Sequence, residues 1–345
     1  MRRMILVCGE ALVDLVAEPG GERFAARMGG SPANTAVTLG RLGAPVSLLA
    51  RLSSDAFGQR LRAHLQASGV ELGFTVSADE PTTLALATTD GSGQADYAFY
   101  VQGTADWQWT PGELPDPLPP AVGAVVAGSL ALVLPPGSEV LERFWSGADA
   151  VRVLDPNVRP ALAGDRAGFA TRLRRWLAAA HLVKASEDDL AWIEAGQDPR
   201  RTAEQWHAEG AGPVVVGTAG AAGAWVLAGG RAAVSVPGRP VTVVDTVGAG
   251  DSFTGGLLDA LARRGALSLP GLAQLGDDGW REVLTSAVQI SSLTCSRAGA
   301  DPPWLDELDE LDELDELDEI GEIGERAGAP GTAPTQPLAR STADE

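Results

Sequence analysis

The chain has 345 residues, 45% of them hydrophobic, which allows one large α/β domain or two modest ones with a substantial core. Its formal net charge is −20, but residues 301–345 hold fifteen Asp/Glu against two Arg, so −13 resides there and −7 remains for residues 1–300. A mildly acidic body excludes the basic footprint of a nucleic-acid binder, and two distant cysteines in apolar surroundings, Cys8 and Cys295, read as buried thiols of a reducing compartment, not a disulfide framework.

At the start, MRRMILVCGEALVDLV has a basic tip and an apolar run. Glu10 and Asp14 interrupt that run too early for a signal peptide, and no small-residue cleavage site follows. Ile5 to Val7 reads as the first core strand, and the protein as cytoplasmic with no membrane span. Residues 11–30 read as strand–turn–strand. In GGSPANTAVTLGRLG (29–43), Gly29 and Gly30 precede Ser31 as the expected N-cap and Pro32 at the first helical position. Ala33, Ala36, Val37 and Leu39 supply the buried face. Asn34 falls in the first turn, where its amide can both donate to and accept from ligand hydroxyls, or is incidental to the cap. TTLALATTDGSGQADYAFYVQG (82–103) reads as two strands around a Gly-rich turn. With 11–30 it would form a small sheet, used as a cover over an active site or as a dimer contact.

Further along, 124–132, 151–157, 181–186 and 213–220 are strand-like, and AGFATRLRRWLAAA (167–180) has helical spacing. Such alternation predicts a mostly parallel sheet covered on both faces, with ligands bound at the carboxyl ends of its strands. The richest stretch is VVDTVGAGDSFTGGLLDAL (243–261): a β-branched strand ending in Asp245 and Thr246, the turn Gly248-Ala249-Gly250, then a helix. The glycines bring backbone N–H groups close to a ligand, and the helix start favours anions. No Lys-Ser/Thr follows, so this is no Walker A loop; Phe253 stands where a dinucleotide fingerprint needs its third glycine. Asp251 would repel a bare phosphate, so it acts either as a base toward an attacking hydroxyl or merely as a helix-start stabiliser. Beyond Trp304 the Leu-Asp-Glu triplets drift by roughly 60° per repeat on a helix and make no straight seam. Residues 305–345 therefore read as an acidic, weakly helical or disordered tail, or as a docking tail for a basic partner.

GGSPANTA and DTVGAGD, in this order and context, resemble the two signatures of ribokinase-like (PfkB-type) carbohydrate kinases, with similarity over residues 4–302. The resemblance implies a three-layer α/β/α sandwich over residues 1–304 with a small β lid from about 11–28 and 80–104. It also implies in-line transfer of the ATP γ-phosphate to a sugar hydroxyl. Asp251 would match the family's base, and the backbone of Gly248, Ala249 and Gly250 its anion hole. Asp14, Gly30 and Asn34 would grip the sugar. Thr218 and Gly220 match the family's Thr-x-Gly turn at ATP. VKASEDDL is similar to its Asn-x-x-Glu element, but carries Ser186 and Asp189, losing the amide while keeping the acid. Asp189 would then reach magnesium through water, and Lys184 would position phosphates or sit exposed. A monovalent cation (K+) would be sought near Asp245 and residues 296–299, and lid-mediated homodimers occur in the family.

GEALVDL, the stretch from PTTLALA to YAFYVQGTADW, GSLAL and DPNVRP are similar to the fructokinase branch, so fructose, giving fructose 6-phosphate, is the expected acceptor. In DPNVRP, Asp155 and Asn157 would end a strand at the ligand edge, and Arg159 would reach substrate or pair with a carboxylate. The Arg that often follows the Phe-Tyr pair in that branch is absent: the chain reads Phe99-Tyr100-Val101-Gln102. A kinase of 2-keto-3-deoxygluconate or ribose is the alternative. A nucleoside kinase would use Trp107 and Trp109 for stacking, and a non-catalytic sugar sensor would use the tail to recruit a partner.

Overall fold

The computed structural model describes residues 2–18, 22–89, 95–209, 212–229 and 233–310. The first half contains β1 (Met4–Cys8), β2 (Leu12–Ala17), β3 (Phe24–Gly29), α1 (Ser31–Arg41), β4 (Val46–Leu49), β5 (Arg51–Ser53), α2 (Ala56–Ala67), β6 (Val76–Ala78), β7 (Leu84–Thr89) and β8 (Ala95–Tyr100). There follow β9 (Val122–Gly128), α3 (Gly137–Gly147), β10 (Val151–Asp155), α4 (Pro160–Ala163), α5 (Arg166–Ala179), β11 (Leu182–Ser186), α6 (Glu187–Ile193) and α7 (Pro199–Ala208). The chain continues through β12 (Val214–Thr218), β13 (Ala224–Leu227), β14 (Val234–Val236), α8 (Ala249–Arg263), α9 (Leu269–Gln274) and α10 (Asp277–Cys295). Met1–Trp304 form one compact unit and Leu305–Glu345 a second. Residues 19–21, 90–94, on which the expected Gly-rich turn falls, and 311–345 of the expected tail lie outside the described residues.

The main sheet has the order β14-β13-β12-β11-β10-β9-β1-β4. β4 through β12 run parallel, and β13 and β14 add an antiparallel edge. A parallel sheet covered on both faces needs apolar residues at successive positions, and every residue of β9 is buried. Alternate side chains feed two cores. Ile5, Val7, Val126, Val153 and Val216 pack with residues of α1, α2, α8, α9 and α10. Leu6, Cys8, Val125, Leu154 and Val215 pack on the opposite face with α3, α5, α6 and α7. There the Trp145 indole N–H donates to Val125 O at 3.0 Å, which anchors α3 to the sheet. This is the α/β/α sandwich expected from the sequence, and its parallel strands place their carboxyl ends along one edge.

A second sheet has the order β3-β2-β7-β8. Cross-strand partners share a face. Leu15, Ala26, Met28 and Leu84 pack against the first core, while Asp14, Arg27 and Ala85 lie on the other face. Two local expectations change. The run 241–245 forms no strand: Val243 and Val244 are exposed, and the N–H groups of Val244 and Asp245 donate to Cys295 O at 2.8 and 3.2 Å. β14 already occupies the sheet edge, and the last carbonyls of a helix, here α10, lack intrahelical partners. Cys295, at that helix end, is consequently half-buried, whereas Cys8 is buried as expected.

Candidate active site

The glycine pair before α1 does two separate jobs. Gly30, not Ser31, caps the helix, with φ 102. A Cβ there would lie 2.7 Å from Glu10 O, and one at Gly29 would lie 2.2 Å from Asp14 Oδ2. The first glycine therefore seats the Asp14 carboxylate, and the second lets the helix start against the end of β1. Ser31, freed from capping, turns its hydroxyl to Asp251.

Asp251 is the third residue of α8 and only 5% exposed. Ser31 Oγ donates to its Oδ1 at 2.7 Å, and Asn34 Nδ2 donates to its Oδ2 at 2.8 Å. Asn157 Nδ2 reaches Ser31 Oγ at 2.6 Å and Asp251 Oδ1 at 3.2 Å. Asn157 holds φ 36, a left-handed conformation that Asn tolerates better than most residues. The turn is pinned from below: Val158 N donates to Asp189 Oδ1 at 2.8 Å, and Arg159 Nη1 donates to Asn157 Oδ1 at 2.6 Å.

Beside Asp251 the chain turns through Gly248, whose φ of 76 caps α8. Among the described residues no protein acceptor takes the N–H groups of Gly250 and Asp251, so donors of a fresh helix start stand open to an anion. Lys184 comes up beneath this turn: a Cβ on Gly250 would lie 3.1 Å from its Nζ. The ammonium is 3% exposed and donates to Asp155 Oδ2 at 3.1 Å, and Thr254 Oγ1 donates to the same oxygen at 2.9 Å. Burial opposes the charge on Lys184, but Asp155, Asp189 and Asp251 together raise its pKa and keep it cationic.

Asp14, half-buried on β2, has its pKa raised to about 6, first by desolvation and further by Asp251, against the lowering effect of Arg159. It thus feels the charge of Asp251, on α8, from the small sheet. Glu10, whose backbone abuts Gly30, is 1% exposed, has an Oε2 without a partner among the described residues, and has its pKa raised to about 7 by burial. Asp106, also pushed to about 7 by burial, accepts from Ala11 N at 3.0 Å.

The structure thus brings Asn34, Asn157 and Asp251 into direct contact, with Asp14, Gly30 and Arg159 around them. Asp155 ends β10 as expected and shares a small cavity with Ser31 and Gly128; it is 5% exposed, with Oδ2 taken by Lys184 and Thr254. Ser186 and Thr218 are registered partners of β11 and β12, and Gly220, with φ 52, opens onto free space. Ser186 and Asp189 form a reciprocal capping box on α6, so Asp189 already binds Ser186 Oγ at 2.6 Å and Val158 N. Asp245 Oδ2 accepts from Gly299 N at 2.8 Å, joining the two segments singled out for a monovalent cation. Trp107 and Trp109 are each 2% exposed and offer no stacking surface. Ser31 and Lys184 differ in legibility: the first was masked by its cap-like position, the second visible only as a strand-end cation.

Residues 2–307 match the family described as pfkB family carbohydrate kinase. The chain belongs to that family. A fructokinase of Rhizobium leguminosarum bv. trifolii is 38% identical over 283 residues, 81% of this chain and 86% of that protein. The crystal structure of a fructokinase with bound ATP from Xylella fastidiosa superposes with a TM-score of 0.83 at 28% identity, covering 92% of this chain and 100% of that one. A Vibrio cholerae O395 fructokinase, with fructose, ADP and calcium bound, superposes with a TM-score of 0.74 at 25% identity over 87% of this chain and 94% of that one. This kinase is therefore an ATP-using sugar phosphotransferase with a ribokinase-like fold. Among the described residues no helix is long and apolar enough to cross a membrane.

Proposed function

We propose that this kinase phosphorylates fructose to fructose 6-phosphate, with Asp251 as the base. The observation that carries the reading is the Asp251 carboxylate, held by Ser31, Asn34 and Asn157 beside open N–H donors and the Lys184 ammonium. A sugar hydroxyl entering there gives its proton to Asp251 as its oxygen bonds to the γ-phosphorus, and the bond from that phosphorus to the ADP oxygen breaks. Negative charge on the transferring group meets the turn Gly248-Ala249-Gly250 and the charge of Lys184. In that turn the N–H groups of Gly250 and Asp251 are the open ones, and that of Ala249 donates to Thr246 O at 3.2 Å. Asp14, Gly30, Asn34 and Arg159 hold the sugar; Ser186, Thr218 and Gly220 hold ATP. Asp155 serves by fixing Lys184.

Among the described residues no three His, Cys, Asp or Glu side chains group to hold a metal ion. Magnesium therefore fits as an ion carried by the nucleotide phosphates and water, with Asp189 acting through water. Potassium near Asp245 and residues 296–299 belongs to the same reading. So do a lid role for the small sheet, a cytoplasmic location and a homodimer; the tail stands outside the reaction. The buried Trp107 and Trp109 disfavour a nucleoside acceptor.

The test is ADP release from ATP-magnesium with fructose, ribose, 2-keto-3-deoxygluconate, fructose 6-phosphate and adenosine, with Asp251→Asn alongside. Fructose should be turned over best, and the substitution should cost about 10²- to 10⁴-fold in rate. Preference for another acceptor overturns the fructose assignment, and an undiminished mutant overturns the base.

A further inference from the structure

Four residues form a single row across one face of the small sheet: Arg27 on β3, Asp14 on β2, Ala85 on β7 and Phe99 on β8, each the registered partner of the next. Directly opposed residues point to the same side, with Cβ atoms about 5 Å apart. Asp14 identifies that side. Its carboxylate leans on Gly29, next to the start of α1, and feels the charges of Asp251 and Arg159. The opposite face is covered by the main core through Leu15, Ala26 and Met28. The row therefore faces the reaction centre.

Its two ends differ. Ala85 and Phe99 close it with an apolar cluster shared with Leu12, Trp107 and Leu130. Arg27 ends it on the open side. It is exposed and, among the described residues, has neither a hydrogen bond nor an ion pair. An arginine opposite an aspartate in a sheet ordinarily pairs with it, yet the Asp14 carboxylate is turned toward Gly29. The guanidinium is thus left for a ligand, on a backbone about one strand spacing, ~5 Å, from that of Asp14. A sugar gripped by Asp251 at its reacting hydroxyl and by Asp14 along its chain meets Arg27 where its remote end follows the row. The charge missing after Phe99-Tyr100 is then supplied from the other edge strand of the same sheet.

Resting on the sugar-kinase reading above, we infer that Arg27 is a specificity-determining residue that binds the sugar's end remote from the reacting hydroxyl. Its planar fork takes two adjacent oxygens, from a pair of hydroxyls or from a carboxylate. The two sources are separated by the acceptor used.

Arg27→Ala and Arg27→Lys are assayed on the whole chain with fructose, with 2-keto-3-deoxygluconate, and with a fructofuranose analogue lacking the anomeric hydroxyl. On the best acceptor, Arg27→Ala should raise the sugar KM about tenfold, the scale of one hydrogen bond to a charged group. The KM for ATP and kcat should stay within about twofold, and Arg27→Lys should recover part of the loss. A larger effect on the keto acid assigns the carboxylate. A larger effect on fructose, shrinking on the analogue, assigns the hydroxyls, because a mutation and a deletion that remove one contact are not additive. An unchanged sugar KM in an active enzyme overturns the inference, as does an equal loss on every acceptor or a matching rise in the KM for ATP. A wild type that phosphorylates no sugar overturns the underlying reading and takes this inference with it.

Discussion

Replacing Gly29 by alanine tests how tightly the sugar subsite depends on one missing methyl group. The added Cβ would stand 2.2 Å from Asp14 Oδ2, where real Cβ contacts do not fall below 3.0 Å. The carboxylate must therefore retreat by about 1 Å, and a misplacement of that size can cost about 10²-fold in rate. Because Asp14 grips the sugar and not the nucleotide in the proposed arrangement, the sugar KM should rise about ten- to a hundredfold while the KM for ATP stays unchanged. Stability should change by less than about 1 kcal/mol, since the displaced atom ends a half-buried side chain that can swing aside. Steady-state ADP release at varied sugar and varied ATP, with a thermal melt of each protein, measures all three quantities. Asp14→Asn completes a double-mutant cycle in which the two losses should not add. A Gly29→Ala enzyme with an unchanged melt and a sugar KM within twofold of the parent would refute Asp14 as the sugar carboxylate.

Two further outcomes follow from the buried charges. Lys184→Met should lower kcat by about 10²- to 10³-fold, the usual loss for one charge-stabilising donor, while ADP binding survives; comparing turnover with ADP affinity checks it, and intact turnover counts against Lys184 as part of the anion hole. Glu10 has its pKa raised to about 7, above its ordinary value of 4.5, because burial disfavours the charge. The native state therefore binds a proton more tightly than the unfolded chain, so stability falls as pH rises from about 4.5 to 7, and the cost is complete above 7. In urea denaturation at pH 5 and pH 8, Glu10→Gln should remove part of that loss, with Asp106 retaining its own share; an unaltered pH slope in the mutant contradicts the burial argument.

Much of the site was legible because its chemistry sits in contiguous motifs. Gly248, Ala249, Gly250 and Asp251 read as a turn into a helix start, and they are that. Asn34 was visible in the first turn of α1, but Ser31 was assigned the wrong duty. Its position before Pro32 suits a cap, yet Gly30 adopts φ 102 and takes that role. The strand expected at 241–245 failed for a related reason: its β-branched residues suit a strand, but no sheet edge is left for them.

From sequence alone came the sandwich, because a parallel sheet covered on both faces leaves long apolar runs at strand spacing, and the two glycine motifs, because a tight turn against a ligand tolerates almost no other residue. Only tertiary structure decided which side chains those motifs meet. Ser31 and Asp251 are 220 residues apart in the chain yet 2.7 Å apart in space. Which groups Asp155 meets, whether Trp107 is a platform or core, and which face of the small sheet carries Arg27 depend on register and burial. Both arise from packing between distant segments, which no local pattern encodes.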